Sequence, residues 1–202
     1  AGNTAVSLAY MGKKVVIVGL DIRKPGLNKV FNLSHRTEGI TNYLLTPSIP
    51  IIFDMIQHSD VSPNLDILPS GPIPPNPTEL MARTVLEDAI EKLKERYDYI
   101  ILDTAPIAIV TDTAIAGRVA DMCVYVCRAD VTPKLGYQYI NVLRDQKKFD
   151  KLATVINSID LNSRKSGYGY GHKYGYGYGH KYGYGYGYGM KKITGDHFYN
   201  VI

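Results

Sequence analysis

The chain has 202 residues, 45% hydrophobic and 21% charged, enough to bury one sizeable core and too few for two. Its formal charge of +4 is unevenly placed: residues 164–202 carry six Lys/Arg against Asp196, a balance of +5, so the remainder sums to about −1. A nearly neutral body argues against a nucleic-acid-binding face. No apolar run reaches the roughly 20 residues that span a bilayer, and no signal peptide opens the chain.

Residues 2–11 have a helical pattern, with small Ala5, Ser7 and Ala9 beside apolar Val6 and Leu8, and Gly12 as the stop. A doubly wound sheet ordinarily enters its first helix from a strand and a phosphate loop. Ala1 is not an initiator Met, so the chain reads as a fragment whose first strand and phosphate loop lie upstream. Residues 14–20 (KVVIVGL) and 66–69 (DILP) are expected strands. Residues 77–96 form the clearest expected helix: Thr78 as cap, Glu79 and Glu87 early, Lys92, Lys94 and Arg96 late to match the dipole. Leu80, Val85, Leu86, Ala89, Ile90 and Leu93 give that helix one apolar face.

Strands are expected again at 99–102 (YIIL), 122–127 (MCVYVC) and 153–156 (ATVI), with a helix from Pro133 to residue 149. Cys123 and Cys127 would share one face of a buried strand as reduced core residues, which suits a reducing cytosol. Unbroken Val/Ile runs separated by helices indicate an α/β fold with a doubly wound, mostly parallel sheet covered on both faces.

The C-terminal region differs in kind. Residues 167–189 contain only Gly, Tyr, His and Lys, and hold nine of the 17 tyrosines: Tyr168, Tyr170, Tyr174, Tyr176, Tyr178, Tyr182, Tyr184, Tyr186 and Tyr188. Alternating glycine and a lack of aliphatic residues predict a flexible, exposed tail over 164–202, following a folded domain over 1–163. Phosphate on such phenols would bring roughly −1.5 to −2 charges each and turn a basic tail acidic. His172 and His180 recur eight apart, which fits a solvated repeat better than a metal site. The terminal MKKITGDHFYNVI adds no motif.

Two expected strands end in an acid: Asp21 after VVIVGL and Asp103 after YIIL. Parallel α/β sheets bind ligands beyond the carboxyl ends of their strands, and an Asp placed there is suited to Mg²⁺ beside nucleotide phosphates. One such strand carries little weight, since Asp also begins turns. Two in one sheet carry more. Arg23 and Lys24 follow the first and could touch phosphate or a neighbouring subunit. Arg128 and Asp130 follow a later strand and could shape the same edge.

VVIVGLDIRKPGL resembles the modified second Walker motif of bacterial tyrosine kinases, YDYIILDTAP their Walker B, and LPSGPIPPNPTELM the connecting segment between them. The Tyr-rich terminus completes the resemblance, which runs over residues 2–189. It implies a P-loop ATPase-like fold using ATP and Mg²⁺, with Asp103 serving the metal and γ-phosphate region. Asp21 would bind metal or accept the phenol proton, Asn157 would contact adenine, and Arg23 would take part in cofactor binding. It further implies phosphorylation in trans of the tail of a neighbouring copy in a homo-oligomeric ring. The implied setting is the cytoplasmic face of the bacterial plasma membrane, beside a polysaccharide co-polymerase, with capsule or exopolysaccharide synthesis and export as the regulated process. A phosphotyrosine phosphatase is an implied partner; nucleic acid is not.

Three departures stand against that pattern. Gly19 occupies the position of the first acidic residue in the modified motif, leaving Asp21 to serve both tasks. The GKT/S loop is absent, so the 202-residue chain alone is expected to bind ATP poorly and to be inactive. The Arg-rich helix used by the family for ring assembly would lie upstream. Two other readings remain open: a partition or division-site ATPase of the same fold, and a nucleotide-free scaffold displaying an adhesive Gly/Tyr tail.

Overall fold

The computed structural model describes residues 1–33, 38–47, 52–107, 111–159 and, as backbone, 200–201. The tail tyrosines, His172 and His180 lie outside the described residues. Helix α1 (Gly2–Tyr10) leads through Gly12, at φ +77°, into strand β1 (Val15–Gly19). Then come two short helices, α2 (Leu27–Val30) and α3 (Ile40–Leu45), and strands β2 (Gln57–His58) and β3 (Leu65–Leu68). Helices α4 (Pro77–Met81) and α5 (Val85–Lys94) precede β4 (Tyr99–Thr104), and α6 (Asp112–Ala116) precedes β5 (Cys123–Arg128). Helix α7 (Lys134–Asp145), β6 (Leu152–Asn157) and the two-residue β7 (Asn200–Val201) complete the order.

The sheet runs β2-β3-β1-β4-β7-β5-β6. Strand β1 pairs in parallel with β3 and β4, and β5 in parallel with β6, so the carboxyl ends of the paired long strands share an edge. Strands β2 and β7 pair antiparallel with their neighbours. The α/β, mostly parallel fold expected from the apolar runs is therefore present. Every residue of β1 is buried, and the strand's alternation sorts its side chains between two cores. Val16 and Val18 join Ile40, Leu44, Leu86, Ile90 and Leu93 on one face, while Val15 and Ile17 join Ala5, Ala9, Leu27 and Leu65 on the other.

The expected helix over 77–96 is two helices. The break at residues 82–84 lets Leu80 and Met81 of α4 and Leu86, Ala89, Ile90 and Leu93 of α5 enter the same core, which one straight rod would not allow. Arg83 at the break donates to the carbonyl oxygen of Leu44 at 2.8 Å. Asn76, not Thr78, precedes α4, with Pro77 in its first turn; the Thr78 hydroxyl is used elsewhere. Cys123, Tyr125 and Cys127 alternate inward on β5 as expected, and both thiols are free and buried. Burial pushes the Cys123 thiol up to about 11, which makes it inert as a nucleophile at neutral pH.

Glycines pin the loop after β3 against the carboxyl edge. Gly71 sits at φ +81°, and a Cβ there would lie 2.5 Å from Thr41 Oγ1 and 2.8 Å from Asn42 Oδ1. A Cβ on Gly39 would collide with the Pro69 carbonyl and the Gly71 amide. Gly71→Ala combines a left-handed backbone with a blocked space and should cost about 2 kcal/mol of stability. A lower urea midpoint at unchanged slope is the expected readout.

Candidate active site

The junction of β1 and β4 builds the site. Gly19 is in register with Asp103, and the backbone carbonyl of Asp103 accepts from the amides of both Leu20 and Asp21 at 2.8 Å. This shared acceptor ties the loop after β1 to the carboxyl end of β4. Asp21 then closes its own turn, its Oδ1 accepting from the Lys24 amide at 3.0 Å. The two carboxylates expected at the sheet edge are thus brought together.

They differ in environment. Asp103 is 5% exposed, and its carboxyl is pushed up to about 6, mainly by burial, with Asp21 adding repulsion. An oxygen donor set of two neighbouring carboxylates, one of them buried, suits Mg²⁺ when phosphates and water complete its shell. Among the described residues no group of three or more His, Cys, Asp or Glu could hold a metal, so a cation here would rest on this pair and on its ligand.

The surroundings are close-packed. A Cβ on Gly19 would lie 2.5 Å from Ser70 Oγ and 2.9 Å from the Ser70 amide, so the buried Ser70 fills the place beside β1. Arg23 is held by a network that sequence reading did not find. Its Nε donates to Asp112 Oδ2 at 2.6 Å and its Nη2 to Asp112 Oδ1 at 3.2 Å and Thr78 Oγ1 at 2.8 Å. Thr78 Oγ1 in turn donates to Asp112 Oδ1 at 2.8 Å. Burial would raise the Asp112 carboxyl, yet the Arg23 and Thr78 hydrogen bonds outweigh it and hold the group below the usual range.

Asn157 ends β6, the outer strand, with its Oδ1 accepting from the Ser158 amide at 2.8 Å. It shares the carboxyl edge with Asp103 but stands three strand positions away, about 14 Å at the usual spacing. The Arg128 amide donates to Thr132 Oγ1 at 2.7 Å, and Asp130 has a φ of 59°, so both belong to a turn after β5.

A family model described as an AAA domain matches residues 1–152. The tyrosine-protein kinase YwqD of Bacillus subtilis (strain 168) is 37% identical over 170 residues, 84% of this chain and 70% of that protein. The chain belongs to the bacterial tyrosine-protein kinases. Among solved structures of this family, the kinase domain of the Escherichia coli tyrosine kinase ETK superposes with a TM-score of 0.71 at 25% identity, over 88% of this chain and 65% of that one. The septum site-determining protein MinD of Pyrococcus horikoshii, solved with Mg-ADP, superposes at 0.60 and 21% identity, over 76% of this chain and 61% of that one, a likeness of fold alone.

The raised Asp103 carboxyl has a consequence for stability in this tyrosine-kinase domain. Moving it from 3.8 to about 6 corresponds to roughly 3 kcal/mol in favour of the protonated form. The folded state keeps this proton between about pH 4 and pH 6, where the unfolded chain has lost it, so this contribution to stability falls as pH rises through that window. Asp103→Asn should therefore stabilise the metal-free protein by roughly 1–3 kcal/mol at pH 7.5, and by little at pH 4. Urea unfolding at the two pH values checks this.

Proposed function

We propose that the intact protein is an ATP-dependent protein-tyrosine kinase whose acceptors are the tyrosines at 168–188 in the tail of a neighbouring copy. The observation that carries this reading is the buried Asp103 carboxyl beside Asp21 at the carboxyl edge of a parallel sheet. Mg²⁺, held by Asp103 and Asp21, would neutralise the phosphate oxygens of ATP.

Asp103 must give up its proton to serve as a ligand, so metal binding and activity should rise as pH passes about 6. In the transfer, a tail phenol oxygen bonds to the γ-phosphorus and the bond from that phosphorus to the β-bridging oxygen breaks, releasing ADP. The phenol proton passes to the Asp21 carboxylate. Asn157 would contact the adenine, a reading supported by its position on the carboxyl edge three strands from Asp103. Arg23, its side chain 38% exposed although bonded to Asp112 and Thr78, would take part in cofactor binding or meet an adjoining subunit.

By this reading the cradle for the β- and γ-phosphates lies outside residues 1–202, and the 202-residue chain alone binds ATP poorly. Phosphates on the tail repel one another and loosen a ring of subunits, which a phosphotyrosine phosphatase would restore. Regulation of capsule or exopolysaccharide export through a membrane co-polymerase, at the inner face of the plasma membrane, rests on the family resemblance. Among the described residues no helix is long and apolar enough to cross a membrane.

Incubating the full-length gene product with ATP and Mg²⁺ and mapping phosphate by mass spectrometry tests the proposal. Label is expected on the tail tyrosines, and Asp103→Asn is expected to reduce it by at least about a hundredfold, the scale on which a group stabilising transition-state charge acts. ATP hydrolysis without protein label would instead favour a division-type switch of the MinD fold. Neither activity would leave a scaffold.

A further inference from the structure

We infer that Asp112 and Thr78 are positioning residues for the metal-binding pair: they grip Arg23 and so fix the loop that carries Asp21. This rests on the kinase reading of the Asp21–Asp103 site.

The clamp joins three separate pieces of chain at the carboxyl edge. Arg23 comes from the loop after β1, Thr78 from the first turn of α4, and Asp112 from the start of α6, after β4. The Asp112 side chain is 4% exposed, and both of its oxygens accept from Arg23. A buried carboxylate without that guanidinium would be strongly disfavoured, so Asp112 holds Arg23 as firmly as Arg23 holds Asp112. The planar fork needs two acceptors at one angle, which fixes direction as well as distance. Thr78 adds a third fixed point by accepting from Arg23 and donating to Asp112 with the same hydroxyl.

Two residues upstream of Arg23 sits Asp21. The buried Ile22 lies between them, and the Leu20 and Asp21 amides are tied to the Asp103 carbonyl. The loop is therefore held at both ends, by β4 on one side and the clamp on the other, with the Asp21 carboxylate between. Releasing the clamp end frees Asp21 to turn away from Asp103 while leaving both carboxylates in the chain. Asp112 thus acts on the metal pair through Arg23 without touching it.

The test uses the full-length protein and Mn²⁺ alone as the probe, with free ion read by electron paramagnetic resonance. Asp112→Asn and Arg23→Gln should each weaken Mn²⁺ binding by roughly tenfold, at the lower end of what outer-shell partners cost. The double variant should bind within about twofold of either single one, since both act through one contact. Thr78→Val, which keeps the shape and removes the hydroxyl, should give a smaller loss of about threefold, and it carries the test should Asp112→Asn fail to fold.

Unchanged Mn²⁺ affinity in folded variants, with only the unfolding midpoint lowered, would overturn the inference. So would a hundredfold, additive loss in the double variant. Wild-type protein that takes up no Mn²⁺ would overturn the kinase-site reading and the clamp with it, whereas wild-type uptake matched by all variants removes the clamp alone.

Discussion

One backbone oxygen organises this end of the molecule. The Asp103 carbonyl accepts from two consecutive amides, Leu20 and Asp21, and so ends β1 and β4 at a common point. Without that junction the two acidic residues would be neighbours only in the loose sense that their strands are adjacent. With it, one carboxylate is buried and the other is set beside it, and the electrostatic cost of that arrangement is visible in the raised Asp103 carboxyl. Carboxylates with strongly perturbed protonation cluster at functional sites.

The packing around the junction explains why the loops cannot drift. Gly19 admits Ser70 against β1, Gly39 admits the Pro69 and Gly71 backbone, and Gly71 adopts a left-handed φ beside Thr41 and Asn42. The loop after β3 therefore lies flush against the carboxyl edge. Arg23, Thr78 and Asp112 close the remaining side. Gly19 thus has a steric reason in this chain, since the Ser70 backbone and hydroxyl occupy the space a side chain would need.

Much of this was legible from residue order, and the parts that were not have identifiable causes. The strands 14–20, 66–69, 99–102, 122–127 and 153–156 were found from their short apolar runs; in β1 that run reflects burial of every residue, whereas β5 buries alternate residues and β6 is largely exposed. The stretch from Leu27 to His58 was not, because α2 and α3 have four and six residues, too few to show a helical period, and β2 has two. The split between α4 and α5 was hidden because no Gly or Pro marks residues 82–84, and only the shape of the core decides it. Asp21 and Asp103 were found from their place at strand ends. Asp112 was missed because its partner lies 89 residues away, and a buried Asp in a TDT sequence looks like any other helix start.

The central claim is that a buried Asp103 carboxyl waits for a cation beside Asp21. The most direct measurement is an NMR pH titration of the Asp103 side-chain carbon in the full-length protein, with and without Mg²⁺ and a non-hydrolysable ATP analogue. The account predicts a midpoint clearly above the ordinary carboxylate range in the absence of ligand, lowered when both are added, because the bound cation favours the ionised form. A midpoint near 4 that ignores Mg²⁺ and the analogue would contradict it.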